Sequence, residues 1–197
     1  MKTGITGGIG SGKSYVCKLL AERGIVVYDC DAAAKRLMRT SQRLKEQLTA
    51  LIGPEAYTPE LNKAAVARFL LASEENARAI DGIVHPAVFS DFEQSGIDWA
   101  ESAILFESGF RRMVDRVVVV TAPEEVRIAR VMARDGITRE KAKEWMMRQW
   151  PQTQLQQLAD FEIINDGQQP LMPQIEALLA ETEMLTTKAV ADRGNSR

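Results

Sequence analysis

Five short runs, Lys2–Thr6, Ile25–Tyr28, Ala103–Phe106, Arg116–Thr121 and Phe161–Ile164, alternate with longer stretches whose apolar residues recur every three or four positions. Val117-Val118-Val119-Val120 shows no polar alternation, the pattern of a strand covered on both faces in a parallel α/β sheet. The first run has one strongly apolar residue, Ile5, and its case as a strand rests on the glycine-rich turn behind it. Helical spacing predicts helices over Lys13–Glu22, Ala32–Leu51, Lys63–Ser73, Glu74–Val84, Pro86–Ser95, Glu124–Arg134, Arg139–Trp150 and Leu171–Glu183. Those between 32 and 95 follow one another without a strand. That order predicts a helical insertion, interrupted by turns at Gly53-Pro54 and Thr58-Pro59. The expected layout is a nucleotide-binding core of residues 1–31 and 96–185, with a helical lid near 124–150. A helical insertion over 32–95 would carry the acceptor, and a polar, flexible tail would run over 186–197.

Composition narrows the classes. The chain has 197 residues, 45% hydrophobic and 26% charged, as an ordinary globular chain does. Its formal net charge of −2 argues against a nucleic-acid binder. Two cysteines, Cys17 and Cys30, and one histidine, His85, offer neither a zinc-ligand spacing nor a disulfide framework. The N-terminus resembles no signal peptide and no apolar run is long enough for a bilayer. A cytoplasmic protein without membrane or nucleic-acid partners is expected.

Gly7-Gly8-Ile9-Gly10-Ser11-Gly12-Lys13-Ser14 matches G-x-x-x-x-G-K-[ST] at every fixed position. Such a loop points successive backbone N–H groups at phosphate oxygens, and the helix behind it adds its positive end. Lys13 would reach the β- and γ-phosphates, and the Ser14 hydroxyl could ligate Mg²⁺. GTPases add N-K-x-D and D-x-x-G. Here Asn62-Lys63-Ala64-Ala65 lacks the Asp, and no D-x-x-G occurs.

A kinase needs an acid near the attacking hydroxyl and cations near the transferred group. Asp29 and Asp31 follow the second strand, on the carboxyl rim where parallel sheets bind ligands. Asp31 could take the hydroxyl proton or merely cap the next helix; Asp29 could act through metal-bound water. Arg127, Arg130 and Arg134 share a helical stripe that could close over phosphate or simply face solvent. Another metabolite kinase, or a nucleotide-dependent regulator without turnover, would share several of these features.

Several segments in order resemble the dephospho-CoA kinase family: Thr6-Gly7-Gly8-Ile9-Gly10-Ser11-Gly12-Lys13-Ser14, Asp29-Cys30-Asp31, His85-Pro86, Leu105-Phe106-Glu107, Arg130-Val131-Met132-Ala133-Arg134-Asp135, and Gln149, Ala159-Asp160 and Asn165-x-Gly167. The resemblance spans roughly residues 3–180. It implies a three-layer α/β P-loop kinase with a five-stranded parallel sheet, a helical acceptor-binding insertion and a helical lid. The implied reaction moves the γ-phosphoryl group of ATP to the ribose 3′-hydroxyl of dephospho-CoA, with Mg²⁺, in a monomer or small homo-oligomer. Lys13, Asp31, Arg130 and Arg134 would be catalytic. Gly8, Ile9, Gly10, Ser11, Gly12, Lys13, Ser14, Tyr15 and Asn165 would bind ATP, and Thr6, Asp29, Asp31, His85 and Glu107 the acceptor. Three positions depart from the pattern: Ala103 stands where Pro is usual, Tyr15 where Thr is usual, and Trp145 where the lid often has Arg.

Overall fold

The computed structural model describes residues 1–194 and forms two compact units, Met1–Val27 with Asp98–Arg197, and Tyr28–Ile97. The chain starts with β1 (Thr3–Thr6), α1 (Lys13–Ala21) and β2 (Val27–Asp29). The second unit then holds α2 (Cys30–Thr40), α3 (Gln42–Ile52), α4 (Lys63–Ala72) and α5 (Glu74–Ser95). The first resumes with β3 (Trp99–Glu101), β4 (Arg116–Thr121), α6 (Glu124–Asp135), α7 (Arg139–Met147), α8 (Gln152–Leu158), β5 (Phe161–Ile164) and α9 (Leu171–Gly194). The sheet order is β2-β3-β1-β4-β5, with β1 parallel to β3 and β4, and β4 parallel to β5. Among the described residues, no helix is long and apolar enough to cross a membrane.

Every residue of β4 is buried, as a strand covered on both faces must be. Ile5, Val118, Val120 and Ile163 pack with Val16 and Leu20 of α1 and with Ile175 and Leu178 of α9. Each such side chain contributes about 1.5–3 kcal/mol by leaving water. A buried cation fastens α9: Arg116, 3% exposed, pairs with Glu181 at 2.7 Å and donates to the Thr182 hydroxyl at 3.2 Å.

Several expected boundaries move. The third strand is Trp99–Glu101, not Ala103–Phe106. Trp99, Ala100 and Glu101 stand in register with Thr3, Gly4 and Ile5, while 103–109 is turn. Of the run Ile104-Leu105-Phe106 only Leu105 is fully buried, in the space beside Gly4, where a Cβ would meet it at 2.6 Å. Ala32–Leu51 divides at Ser41, whose hydroxyl caps α3 by accepting from the Leu44 amide. Conversely, the two helices expected on either side of His85-Pro86 are one, α5. Ile80, Val84, Val88 and Phe92 recur every four residues along a single buried face, and that burial outweighs the hydrogen bond Pro86 cannot make. Its fourth residue back is Gly82, around which there is open space.

At the other end, α7 stops at Met147, and the unexpected α8 follows Pro151 through a glutamine-rich stretch in which only Leu155 is buried. The polar stretch from Thr186 that was expected to fray continues α9 to Gly194; 195–197 lie outside the described residues. The ties at Glu181 and Thr182 hold the helix up to its last turns, and propagation beyond a formed helix is easy.

Candidate active site

The chain leaves β1 at Thr6 and winds through the glycines into α1, whose N-cap is Gly12 at φ +92°, a left-handed conformation that disfavours other residues. The Ser11 amide bonds the Gly8 carbonyl at 3.1 Å, and the Tyr15 and Val16 amides bond that of Gly12. Space as well as backbone geometry demands glycine. A Cβ on Gly8 would collide with the Arg127 guanidinium, and one on Gly12 with the Asn165 amide nitrogen.

Those neighbours are struts. Arg127, 7% exposed, donates from Nε to the Ile9 carbonyl at 2.9 Å. Burial pushes its guanidinium below the ordinary value, against the pull of nearby Glu124. Arg130 reaches the carbonyls of Gly10 and Ser11 and the Asn165 side chain, each at 3.3 Å. Asn165 donates to the Ser11 carbonyl at 2.9 Å, and the Gln149 side-chain oxygen accepts from the Ile9 amide at 2.7 Å. Ile9 itself packs against Ile128, Val131 and Ala142. The solvent-facing alternative for Arg127 is thereby excluded.

Lys13 is 9% exposed and lies 3.9 Å from Glu101. Glu101, at the carboxyl end of β3, was missed because the strand was expected four residues later. The turn at Gly96, followed by a short run ending in an acid, was the available signal. Ser14 and Tyr15 are exposed on the first turn of α1. The hydroxyls of Thr6 and Ser11 are buried with no hydrogen-bond partner in the protein.

Arg134 does not join the loop. It grips the exposed Asp135 carboxylate through two bonds, at 3.0 and 2.7 Å, which raise its own pKa and lower that of Asp135. Trp145 packs on the α6–α7 cluster, and Arg148 bonds Glu144 at 2.5 Å. Glu107, expected at a strand end, lies in the turn after β3 and accepts from the Trp150 amide at 3.2 Å. The Phe106 and Trp150 rings stack with their centroids 6.0 Å apart. A cavity of about 860 Å³ opens between α6 and the 143–153 segment, lined by Arg127, Lys143, Met146 and Trp150.

In the second unit, the helix cap is Asp29, not Asp31: its side chain accepts from the Ala32 amide at 2.8 Å because α2 begins at Cys30. Asp31 stands exposed in the first turn, with no hydrogen bond or ion pair among the described residues. His85 lies inside α5, 3.5 Å from Asp81 and stacked on Phe89. Nearby, Asp91 accepts from the Tyr28 hydroxyl at 2.6 Å and from Arg36 at 2.5 Å. Burial, then Asp91, pushes the Tyr28 pKa far up, so the hydroxyl remains a donor.

The family profile described as dephospho-CoA kinase (CoaE) matches residues 1–170. A dephospho-CoA kinase of Bacteroides fragilis is 41% identical over 188 residues, covering 91% of this chain and 92% of its own. The crystal structure of TT1252 from Thermus thermophilus superposes with a TM-score of 0.77 at 32% identity, covering 92% of this chain and 97% of that one. A dephospho-CoA kinase from Campylobacter jejuni, 18% identical with a TM-score of 0.60, shares the fold, covering 96% of this chain and all of its own (100%). By profile, sequence and fold together, the chain belongs to the dephospho-CoA kinase family.

Proposed function

We propose that the glycine loop, Lys13 and Asp31 carry γ-phosphoryl transfer from ATP to the ribose 3′-hydroxyl of dephospho-CoA. Family membership makes the overall reaction the ATP-dependent phosphorylation of dephospho-CoA, and the residue roles are the inference. The observation that carries it is the braced loop, with the buried hydroxyls of Thr6 and Ser11 lacking partners beside a nearly buried Lys13. A buried polar group without a partner is costly, and phosphate oxygens satisfy that need. Lys13 then exchanges Glu101 for the β- and γ-phosphates, where charge builds during transfer.

Asp31 is the better base because Asp29 is occupied as the cap and Asp31 is not. It accepts the proton of the 3′-hydroxyl or orients it for in-line attack. Arg130 holds the loop in shape. Arg134, on an exposed ion pair, is free to exchange Asp135 for phosphate. His85 and Glu107 border the acceptor in this reading, and Asp29 positions Asp31.

Mg²⁺ fits this donor set. Among the described residues no group of three His, Cys, Asp or Glu could hold a metal, but the exposed Ser14 hydroxyl offers one hard oxygen. Ser14 would hold the ion together with the nucleotide's own phosphates. When bound, Mg²⁺ neutralises charge on the transferring phosphate.

A cytoplasmic monomer or small homo-oligomer without nucleic acid completes the reading; the net charge of −2 supports the absence of nucleic acid, and two cysteines that form no disulfide support the compartment. The test is an acceptor panel with ATP and Mg²⁺. Dephospho-CoA should gain one phosphate, at the 3′ position, far faster than AMP, CMP, shikimate or pantothenate. Faster turnover of another acceptor overturns the assignment.

A further inference from the structure

The cavity between α6 and the 143–153 segment, about 860 Å³, is within the size range of small-molecule sites, yet none of the residues assigned above to ATP, to the acceptor or to catalysis lines it. What it contains is a buried charge. Arg127 lines the cavity at 7% exposure; its Nε–H is taken by the Ile9 carbonyl, and its two terminal nitrogens make no hydrogen bond or ion pair among the described residues. Burial holds its pKa down, as expected of a cation withdrawn from water without a carboxylate against it. Glu124, on the same wall, is turned to Lys143 at 3.9 Å instead. Arg127, Lys143 and Glu124 are the only charged residues of the lining, so the wall carries one net positive charge. The rest includes flat and polarizable groups. Trp150 is 36% exposed and Met147 77% exposed, with Met146 beside them.

We infer that this cavity is a second small-molecule site, which takes an aromatic monocarboxylate with its carboxylate on Arg127 and its ring on Trp150 and the two methionines. Charge selects the head group. A guanidinium and a carboxylate are both planar and pair through two parallel hydrogen bonds, and two terminal nitrogens are what that pairing uses. One net positive charge balances one carboxylate, whereas a nucleoside triphosphate would bring several negative charges past Glu124. The wall selects the body, because an indole favours an offset aromatic ring and thioether sulfur makes favourable contacts at ring edges. The same guanidinium braces Ile9, so occupancy of the cavity reaches the phosphate loop through one side chain.

The test uses the full chain and 2-naphthoate as the probe, followed by titration calorimetry. The native chain should bind it with a dissociation constant below about 1 mM, and 2-naphthamide, the same ring without the charge, about tenfold more weakly or worse. Neither ATP with Mg²⁺ nor dephospho-CoA should compete with it. Two exposed substitutions should move the affinity in opposite directions: Lys143→Gln should weaken 2-naphthoate about threefold or more, and Glu124→Gln should tighten it by a similar factor. Both variants should melt with the native chain, since the pair they break is a loose surface contact. Trp150→Leu should weaken the probe about threefold or more, through the lost ring contact. Failure of the native chain to bind 2-naphthoate overturns the inference, as does equal binding of the amide. Competition by either substrate overturns it too, because it places the probe in the site already described. So do shifts of the same sign in Lys143→Gln and Glu124→Gln, since a general disturbance of the lining would not follow charge.

Discussion

The guanidinium of Arg127 donates to the Ile9 carbonyl at 2.9 Å, so a residue of α6 serves as a strut inside the phosphate loop. Arg127→Ala should lower stability by about 1–3 kcal/mol, since a part-buried carbonyl loses a charged donor. The ATP dissociation constant should rise about tenfold, because the loop loses its preset shape. Thermal melting with a nucleotide titration checks both, and Arg127→Lys should not rescue binding, as an ammonium cannot copy the fork.

Asp29 and Asp31 separate by role. Asp29→Ala should cost about 1 kcal/mol through the lost cap and lower turnover per folded molecule only about severalfold, as loss of a positioning group does. Asp31→Asn should leave the melting temperature unchanged and lower kcat by about a hundredfold or more, as loss of a general base does. Side-by-side melts and single-turnover rates decide. An Asp31→Asn variant that loses stability instead would return Asp31 to a structural role.

Glu101 sits near Lys13 and therefore competes with nucleotide phosphates for the same cation. Glu101→Gln should tighten ATP binding by a few fold, since a negative charge is removed from beside an anion site. Calorimetric titration with ATP measures it, and weaker binding would assign Glu101 a supporting role toward the phosphates.

Acid stability should depend on Asp91. Burial raises its pKa, but the hydrogen bonds from Tyr28 and Arg36, together with the charge of Arg36, outweigh that and leave it below the ordinary value. A depressed carboxylate contributes stability above its unfolded pKa, about 3.9, and that contribution vanishes as the pH falls through the folded value. Asp91→Asn should therefore unfold at lower urea than the native chain at neutral pH, and the gap should close below about pH 4. Urea unfolding at neutral and acid pH tests the sign.

A stability test also separates the two ends of the Arg116 contact. Glu181→Ala should destabilise by about 1–3 kcal/mol, because the buried Arg116 loses its carboxylate and keeps the Thr182 hydroxyl, while Arg116→Met should cost less. Urea unfolding of the two variants compares them.

The phosphate loop could be recognised from spacing alone because its chemistry depends on backbone groups and one lysine within eight residues. The buried valines of β4 were equally plain. What pattern could not supply was tertiary. Leu105 belongs to an aliphatic run but fills a hole beside Gly4, so the run reads as a strand and is a turn. Pro86 reads as a break, yet apolar residues on both sides of it share one buried face. Arg127 reads as a surface charge because nothing in its neighbours announces a loop 118 residues away. Trp145, which stands where the family often has a lid arginine, was legible as a departure, and the structure gives it a packing role.

The fit of Gly8 against Arg127, and of Gly12 against Asn165, has a consequence for how this sequence can change. A side chain added to the loop meets a partner drawn from a distant part of the chain, and trimming that partner alone removes a brace. At Gly8, which is not left-handed, each single step is penalised and the matched double step with Arg127 is tolerated, whereas at Gly12 the left-handed backbone penalises a side chain whatever Asn165 becomes. The loop and its braces should therefore show strong epistasis: in a library randomised at 8 and 127 together, survivors with alanine at 8 should carry a shorter residue at 127, an association that neither single-site library contains.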